Sequence, residues 1–520
     1  MKRSRIITLI VIAVLLLTAT IVVLRADKLA EQMATEQVMK VAAEQQIPLS
    51  WSDLHVRLLH GSVQVDSLMV ELNLPDSATG DTTRIALKVS EIGIGRIHWL
   101  SLLRQRVVRL DRVRINDASV MLNKSNDKTQ LNLDSLYLTA HDICYNLLDS
   151  TLTYNDSVYH LQLSNLDFTS DDGLFRATVG SLATEDAGCI VLKDIAGGNT
   201  DKKEEHAVKM GKQEVTWSRF RLSQVRTSPL NIIRMALAKE VKIDTVTIEG
   251  PSTEIYYDAQ FPPKQPYPMP QQSLAAVEMP LLINHLNASL GVLHVAVTMD
   301  GKNVGLLDLK KTRARVADIS NTPGSTMKAK VTTHIGGGEV NVATNMTLNK
   351  QCSLTYNAEI KELKGRDLLS LTKPLLGVEV NCNFHNISTN CKGDSKNMSG
   401  MFCVRYDSLS VHLDEHGPMK DLASLAWLVN PLASVVLYNR NPRNDHEEPA
   451  TFEVSADYDP MQPTWVDNTK ETINGLMGWL KENQDTLAQG YDFIRGIVQS
   501  RQLPPITPET PSAPLPPINE

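Results

Sequence analysis

The chain has 520 residues, of which 42% are hydrophobic and 21% charged, and these proportions exclude a largely disordered protein. Its formal net charge of −7 is small for this length, and Lys and Arg are interspersed with acidic residues, so no nucleic-acid-binding stretch is present. The six cysteines lie far apart without a Cys-x-x-Cys pair, which argues against a zinc site and a dense disulfide scaffold. One disulfide, between Cys382 and Cys391, stays open as an alternative to free thiols.

The N-terminus predicts a membrane anchor. Three basic residues precede an apolar stretch of nineteen residues that begins at Ile6, passes Leu15 and ends at Leu24. At about 1.5 Å per residue a helix of this length spans a hydrocarbon core of roughly 30 Å. A cleaved signal peptide, the alternative, usually has an apolar region of only about 7–15 residues. We therefore expect an uncleaved, single-pass anchor with its basic end in the cytoplasm and the rest of the chain outside it.

Residues 28–46 predict a polar helix that leaves the membrane and ends at Ile47-Pro48. The helix stops there because a proline disfavours the helical conformation of the residue before it. Beyond this point the sequence is typical of β-strands almost throughout.

One spacing of apolar residues recurs along these strands. In "VRLDRVRI", residues 108–115, apolar residues occupy the first, third, sixth and eighth positions. The same spacing recurs with Asp or Ser at the fourth position in seven further copies, at 63–70, 87–94, 131–138, 161–168, 220–227, 241–248 and 404–411. The first five copies begin 21 to 30 residues apart, which is typical of a repeated supersecondary unit.

The spacing predicts curved strands. A helix would scatter the four apolar positions around its circumference, and an unbroken strand would point two of them to each face. A residue added at the step after Asp, as in a β-bulge, returns all four to one face and bends the strand. Two short strands that meet at a corner are the alternative. Because Asp exchanges with Ser, we interpret Asp111 and its equivalents as residues that bond to nearby backbone amides, not as catalytic acids.

The repeats therefore predict a mainly β protein: an elongated, curved antiparallel β-sheet groove with an N-terminal transmembrane helix and a few short capping helices. The apolar positions would line one face of the sheet. Some 20 strands at about 4.8 Å each would extend it on the order of 100 Å. The candidate groove residues are Val63, Val65, Val108, Leu110, Val113, Ile115, Leu131, Leu133, Val241, Ile243, Val246 and Ile248.

Four shorter elements are predicted between and beyond the repeats. Asn155-Asp156 marks a hairpin turn within "STLTYNDSVYHLQL", and Gly336 to Gly338 join two alternating strands in a second hairpin. Short helices are predicted at 228–240 and at 365–377, the second broken by Pro374.

The C-terminal part carries two further apolar segments. The run 422–438 is interrupted by Asn430-Pro431, which favours a helix, a turn and a strand over a second membrane crossing. An apolar stripe at helical spacing over 473–498 predicts an amphipathic helix that packs on its own protein. After Ser500, seven prolines in twenty residues predict an unfolded tail.

These elements divide the chain into six parts. They are the cytoplasmic end and anchor at 1–26, a juxtamembrane helix at 27–48, an N-terminal β-groove region at 49–270, a C-terminal β-groove region at 271–464, an amphipathic helix at 465–500 and the Pro-rich tail at 501–520.

One stretch matches a catalytic pattern. "HLDEH", from His412 to His416, has the His-x-x-Glu-His order of a group of zinc proteases. That site needs a helix, whereas these histidines directly follow a repeat strand and precede Gly417-Pro418. We therefore predict no metal site, no cofactor and no enzyme activity.

The arrangement resembles the AsmA-like family of bacterial envelope proteins, in its Bacteroidetes-type members. The resemblance rests on the N-terminal anchor followed by "IPLSWSDLHVRLLHGSVQVDSLMVELN", on "RVVRLDRVRINDASVMLN" and "VKIDTVTIEGPSTEIYYD", and near the C-terminus on "GMFCVRYDSLSVHL" and "NRNP" at 439–442. It covers most of the chain through patterns of apolarity. The polar, Pro-rich tail is a departure from the family pattern.

The resemblance implies an inner-membrane-anchored, periplasmic protein of the repeating β-groove type, related in architecture to TamB and to bridge-like lipid-transfer proteins. Such proteins are linked to phospholipid movement toward the outer membrane and to envelope integrity. The implied partners are phospholipids, the inner membrane, and outer-membrane or envelope assembly proteins. The alternative is a non-enzymatic, membrane-anchored scaffold that regulates outer-membrane protein assembly, with its apolar face closed by its own helices.

Overall fold

A computed structural model describes residues 27–457 except 45–46, 58–60, 76–81, 99–100, 102–103, 125–127, 147–151, 154–159, 186–187, 212–215, 231–234, 236–237, 262–267, 415–439, 443 and 450. The predicted anchor, the apolar run 422–438, the amphipathic segment 473–498 and the Pro-rich tail lie outside these residues. Among the helices that are described, none is both long and apolar enough to cross a membrane.

The described strands form one open, curved and mostly antiparallel sheet, which confirms the predicted mainly β class. The strands are β1 (Leu49–Ser50), β2 (Asp53–Arg57), β3 (Ser62–Pro75), β4 (Thr82–Ile97), β5 (Val107–Lys124), β6 (Gln130–Asn146), β7 (Leu152–Thr153), β8 (His160–Thr169), β9 (Phe175–Thr184), β10 (Cys189–Asn199), β11 (Thr216–Pro229), β12 (Val241–Asp258), β13 (Leu281–Thr298), β14 (Val304–Ser320), β15 (Thr326–Ile335), β16 (Gly338–Thr347), β17 (Leu354–Lys364), β18 (Val378–Gly393), β19 (Asn397–Leu413) and β20 (Thr451–Asp457).

The order of the strands in space follows their order in the chain. Strands β1 and β2 pair with the same flank of β3, and β7 and β8 pair with the same flank of β6. Each of these two pairs occupies a single position in the sheet, so the sheet is eighteen strands wide. One pairing departs from the antiparallel prediction, because β12 and β13 run parallel. Parallel neighbours need a crossover connection, and residues 259–280 carry the chain from the end of β12 back to the start of β13.

Helical elements with defined bounds accompany the sheet within the described residues. They are α1 (Asp27–Glu44), α2 (His206–Lys209), α3 (Pro270–Ala275), the 3₁₀ turn Gly365–Leu368 and α4 (Leu369–Leu376). Helix α1 confirms the helix that was predicted at 28–46. The predicted helix at 228–240 overlaps β11, which extends through Pro229, and the described residues Met235 and Ala238 beyond it are helical.

The prediction that Pro374 breaks the second short helix is wrong. Pro374 lies inside α4, where a proline near the C-terminal end removes only one backbone hydrogen bond. The helix ends instead at Gly377, whose φ of 66° is left-handed and whose N–H donates to the carbonyl of Lys373.

The two predicted hairpins have different outcomes. The glycine hairpin is confirmed: β15 and β16 pair through to Ile335 and Gly338, and Gly336 has a φ of 55°. The turn predicted at Asn155-Asp156 lies outside the described residues, and within the described residues β7 and β8 do not pair with each other. Both pair antiparallel with β6, so they continue one strand direction on either side of residues 154–159.

The predicted phase shift is confirmed by burial in the first three copies of the repeat. Val63 and Val65 belong to the same buried cluster as Leu68 and Val70, although the two pairs would face opposite ways on an unbroken strand. The copies at 87–94 and 108–115 likewise place all four apolar residues in or against this cluster. The strand thus changes face at the fourth and fifth positions.

Left-handed residues accompany this shift. In the copy at 108–115, Asp111 stands between Arg96 of β4 and Asp142 of β6, with φ of 49° and 51°. Ser67 on β3, with φ of 53°, stands opposite Ser90 on β4, and the strand pairing continues on both sides with no residue gained or lost. Residues that stand opposite one another in this way on successive strands form a line across the sheet, which we call the seam. Its left-handed residues are Ser67, Asp117, Asn165, Asp194 and Lys311, on β3, β5, β8, β10 and β14. The copy at 404–411 has the predicted bulge, because Ser408 and Leu409 of β19 stand opposite Cys382 alone on β18. Along the seam the pairing mostly continues without one, and further register shifts occur between β5 and β6 and between β14 and β15.

Side chains of neighbouring strands hold the seam together. Ser90 Oγ donates to Asp117 Oδ2 at 3.1 Å, and Asn165 Nδ2 donates to Asp134 Oδ2 at 3.1 Å. Opposite Asp194 stands Gly180, where a Cβ atom would lie 2.9 Å from the Asp194 Cβ. A glycine is therefore required at this crossing.

The repeat aspartates bond to side chains and not, as predicted, mainly to backbone amides. Asp111 lies 2.5 Å from His98 Nε2 and 3.8 Å from Arg96 Nη1, both across the strand pair. In the last copy Asp407 accepts hydrogen bonds from Asn383, from Ser408 and from His385, and these bonds lower the pKa of Asp407 to about 2. The interpretation of these residues as structural still fits their contacts.

Candidate functional site

A continuous line of apolar side chains crosses the sheet on one face, from β3 to β19. We call it the apolar row. Each member pairs with the next across the strands: Leu68, Val89, Ala118, Leu136, Leu163, Leu182, Leu192, Val225, Ile248, Ala288, Ala314, Val331, Val342, Ala358, Thr389 and Phe402. Thr389 is its one polar member.

The neighbouring line on the opposite face is polar. Its members, also paired from strand to strand, are Ser164, Ser181, Lys193, Gln224, Glu249, Ser289, Arg313, Thr332, Asn341, Glu359, Ser388 and Cys403. Successive residues of a strand point to opposite faces. The sheet therefore has one apolar and one polar face along β8 to β19.

Helix α1 and its connection cover the first part of the apolar face. Val38 of α1, Ile47 and Trp51 pack against the buried cluster that contains Leu68 and Val89. Glu31 on α1 also accepts a hydrogen bond from the Val56 amide at 3.2 Å. Helix α1 thus closes the face at the end of the sheet nearest the N-terminus.

The crossover between β12 and β13 covers the other end. Met269, which precedes α3, is 1% exposed and packs in one buried cluster with Phe402 of the row. Gln271 on α3 donates to the carbonyl of Cys352 at 3.1 Å. The crossover therefore fastens to strands that lie far from β12 and β13 in the sheet order.

Helix α4 bridges the same region from the opposite strand ends. It contacts both β14 and β18, and Ser370 Oγ donates to the carbonyl of Leu306 at 2.9 Å. In a flat sheet these two strands would lie about 19 Å apart, four spacings of 4.8 Å. A single short helix touches both because the sheet curls between them.

Between these covers the apolar row is open. Leu68, Val89 and Ala118 at one end and Thr389 and Phe402 at the other are buried. The eleven members from Leu136 to Ala358 are all partly exposed. Exposed apolar surface costs about 25 cal/mol per Å² relative to covered surface, so a ligand or a protein segment that covers these strands gains free energy.

The predicted groove residues fall into two groups. Val63, Val65, Val108 and Leu110 are buried, and Val113 and Ile115 pack against the same cluster beneath α1. On the open part of the sheet Val246 is buried, and the partly exposed residues there are Leu131, Leu133, Val241, Ile243 and Ile248. The structure thus places only the second group where the sheet is open.

The central members of the row were not predicted. Leu182 and Leu192 lie in β9 and β10, neither of which contains a copy of the repeat. The apolar, β-branched run in "IVLKDI" indicates a strand, but only the pairing register shows that these residues continue the row.

A cavity of about 530 Å³ lies over β15 to β19. Most of its lining comes from the polar face, including Lys330, Asn341, Asn357, Glu359 and Asn390. A hydrogen bond from Lys361, followed by one from Asn386, lowers the pKa of Glu359. The row members Val331, Val342, Ala358, Thr389 and Phe402 also line this cavity, so it adjoins the apolar row.

The metalloprotease-like stretch begins in a strand. His412 pairs with Glu379 between β19 and β18, which is the strand context that the sequence indicated, while Glu415 and His416 lie outside the described residues. All six cysteines are free, so Cys382 and Cys391 are not bridged. Burial raises the pKa of the Cys382 thiol to about 12, which keeps it protonated.

Comparison with known proteins gives no relative: no family model matches the chain, and no curated protein or solved structure matches it significantly.

Proposed function

We propose that this protein binds or conducts phospholipid acyl chains along the open part of the apolar row, as an inner-membrane-anchored periplasmic protein that contributes to lipid transport to the outer membrane. The observation that carries the proposal is the row itself, with eleven partly exposed apolar members in register from Leu136 to Ala358. A cross-strand line of this kind offers a continuous path and not a closed pocket.

The chemistry of the row favours aliphatic chains. From Leu136 to Ala358 its members are Leu, Ile, Val and Ala without an aromatic residue, and aromatic residues make up only 5% of the whole chain. Aliphatic side chains pack against acyl chains by dispersion and exclusion of water and offer no stacking platform. The polar line on the other face keeps that side of the sheet compatible with water.

The expected location supports the same proposal. The basic-flanked stretch from Ile6 to Leu24 would hold α1, and hence the first cover of the groove, next to the inner membrane. The resemblance to AsmA-like proteins is consistent with lipid as the cargo and with envelope assembly proteins as further partners.

Lipid analysis of the full chain in native membrane discs tests the proposal. We expect phospholipid to copurify with the wild type and to be lost in Leu182→Arg, because a charge in the middle of the row excludes acyl chains. Ser181→Arg is the matched control, since it places the same charge one residue away on the opposite face. Equal phospholipid in the two variants contradicts the proposal.

The same preparation distinguishes the scaffold alternative. Wild-type protein that carries no phospholipid, together with crosslinks to an outer-membrane assembly factor, would favour a scaffold that is closed by its own segments. The covers formed by α1 and by the segment around Met269 before α3 are the observation behind this second candidate.

A further inference from the structure

Three basic side chains on the polar face have no ion-pair partner among the described residues. They are Arg313 and Arg315 on β14 and Lys330 on β15, and all three are exposed. None of them makes a side-chain hydrogen bond with a residue that the structure describes. Lys328, two residues before Lys330 on the same strand, differs because it pairs with Asp318 at 3.5 Å.

We propose that Arg313, Arg315 and Lys330 bind the phosphate group of a small, hydroxyl-rich ligand, a sugar phosphate or polyol phosphate, whose uncharged part occupies the adjoining cavity over β15 to β19. The three cations lie on the face opposite the apolar row. The site therefore goes beyond the binding of acyl chains along that row.

The pairing of β14 with β15 brings the three cations together. Arg315 stands directly opposite Lys330, and Arg313, two residues before Arg315, stands opposite Thr332. Directly opposite Cβ atoms are about 4.5–5.5 Å apart, and residues i and i+2 of one strand about 6.8 Å apart. Like charges directly opposite each other destabilise a sheet, and a bound anion would remove that repulsion. Arginine also matches the geometry of a phosphate through two parallel N–H donors.

The cavity begins at one of these cations, because Lys330 is part of its lining. Its volume of about 530 Å³ lies within the usual range of small-molecule sites, roughly 300–1,000 Å³, and exceeds what a bare phosphate fills. The polar part of the lining beyond Lys330 is mostly uncharged: Thr332, Asn341, Asn357, Ser388 and Asn390. These side chains suit a ligand that carries hydroxyl groups.

Two amides in the cavity are available for such hydroxyls. Asn357 and Asn390 stand directly opposite each other on β17 and β18, and neither side chain bonds to a described residue. An amide both donates and accepts hydrogen bonds, as a sugar hydroxyl does. The acidic residue of the lining, Glu359, is already neutralised by Lys361 Nζ at 2.9 Å and bonded by Asn386 Nδ2 at 2.9 Å. It therefore does not oppose an anionic ligand.

The lining disfavours a nucleotide. Base recognition without sequence preference uses exposed aromatic faces on which the base stacks. Phe402 is the aromatic residue among those described as lining the cavity, and it is only 2% exposed. A phosphate-bearing sugar or polyol fits both the cations and the amides.

Calorimetric titration of the full chain tests the proposal. The protein is held in a polyoxyethylene detergent, which carries neither phosphate nor sugar. The probes are glucose 1-phosphate, glucose and inorganic phosphate. We expect glucose 1-phosphate to bind at least about tenfold more tightly than either of the others, since it alone engages the cations and the amides together.

Two lysines of β15 give a matched pair of variants. Lys330→Gln and Lys328→Gln each remove one positive charge from the same face of the strand. Lys330→Gln should weaken glucose 1-phosphate about tenfold, the loss of one charged contact, whereas Lys328→Gln should weaken it less than about twofold. Because Lys330→Gln also removes the repulsion with Arg315, its melting temperature should be no lower than that of the wild type.

The amides are tested separately. Asn357→Ala with Asn390→Ala should lower the affinity for glucose 1-phosphate to that for inorganic phosphate, because the cations remain and the hydroxyl contacts are lost. Glycerophosphoglycerol, the soluble headgroup of phosphatidylglycerol, is titrated alongside. Tighter binding of this compound assigns the site to a lipid headgroup, and tighter binding of glucose 1-phosphate assigns it to a soluble sugar phosphate.

Three results would overturn the inference: no binding of either phosphate ester, equal affinity for glucose and glucose 1-phosphate, or equal losses in Lys330→Gln and Lys328→Gln. The test is separate from that of the proposed function. Copurified phospholipid reports on the apolar row, whereas glucose 1-phosphate reports on the polar face, so either proposal can fail while the other stands.

Discussion

Substitution by valine should destabilise the protein at a left-handed residue of the seam, whereas the same substitution at an exposed position of an ordinary strand should stabilise it. Ser67 is exposed and has a φ of 53°, while Met69, two residues further along β3, is 38% exposed and has no such backbone conformation. Valine is favoured by up to about 1 kcal/mol at exposed positions of regular strands. In the left-handed region, its branched Cβ meets the adjacent carbonyl, and the penalty is about 1–2 kcal/mol.

We therefore expect Ser67→Val to destabilise β3 by about 1.4 kcal/mol, which raises the population of its opened state about tenfold. Met69→Val, the matched control, should leave the strand unchanged or slightly more stable. Hydrogen exchange followed by mass spectrometry of peptides that cover Ser62–Pro75, in the full chain, measures both. If Ser67→Val does not exchange faster than Met69→Val, β3 is a regular strand at this point and the explanation of the phase shift by the seam is wrong.

Burial, titration and turn geometry give three further predictions. Leu110→Ala, at a side chain that is 1% exposed, should cost about 3 kcal/mol, whereas Leu182→Ala on the open row should cost about 1 kcal/mol or less, as measured by denaturant unfolding. Because the pKa of Asp407 is lowered to about 2 in the folded state, its contribution to stability is present above about pH 4 and lost as the pH falls toward 2. Thermal unfolding between about pH 5 and pH 2 should show a smaller loss for Asp407→Asn than for the wild type. Gly336→Ala should destabilise the β15–β16 hairpin because Gly336 has a left-handed φ and faces the Asp367 side chain, whereas Gly337→Ala, which meets open space, should cost little. Equal melting temperatures for the two alanine variants would contradict this account of the turn.

Much of the fold could be predicted because its signal is local. The repeat spacing at 63–70 and 108–115 records the change of face directly in the order of apolar and polar residues, and the glycine hairpin at 335–338 is encoded in adjacent residues. Helix α1 likewise follows from its polar composition and from the proline that stops it. Each of these features depends on a few neighbouring residues.

The candidate site was predicted only in part. The chosen positions on β3, such as Val63 and Val65, were correctly expected to share one face with Leu68, but the sequence does not separate buried members from open ones. That separation depends on α1 and on the segment around Met269 before α3, which pack at the two ends of the row. Leu182 and Leu192 were missed because their strands lack the repeat and join the row only through pairing.

The order of apolar and polar residues is enough to specify a one-sided sheet of about twenty strands, since that spacing fixes which side chains share a face wherever the phase shift occurs. How the shift is made depends on the pairing of strands in three dimensions. A left-handed residue on one strand serves its neighbours as well, so Ser67 and Asp117 can flank a copy at 87–94 that has no left-handed residue of its own. The tertiary structure also decides the parallel pairing of β12 with β13 and the covers at the two ends of the apolar row, because these contacts join residues far apart in the chain.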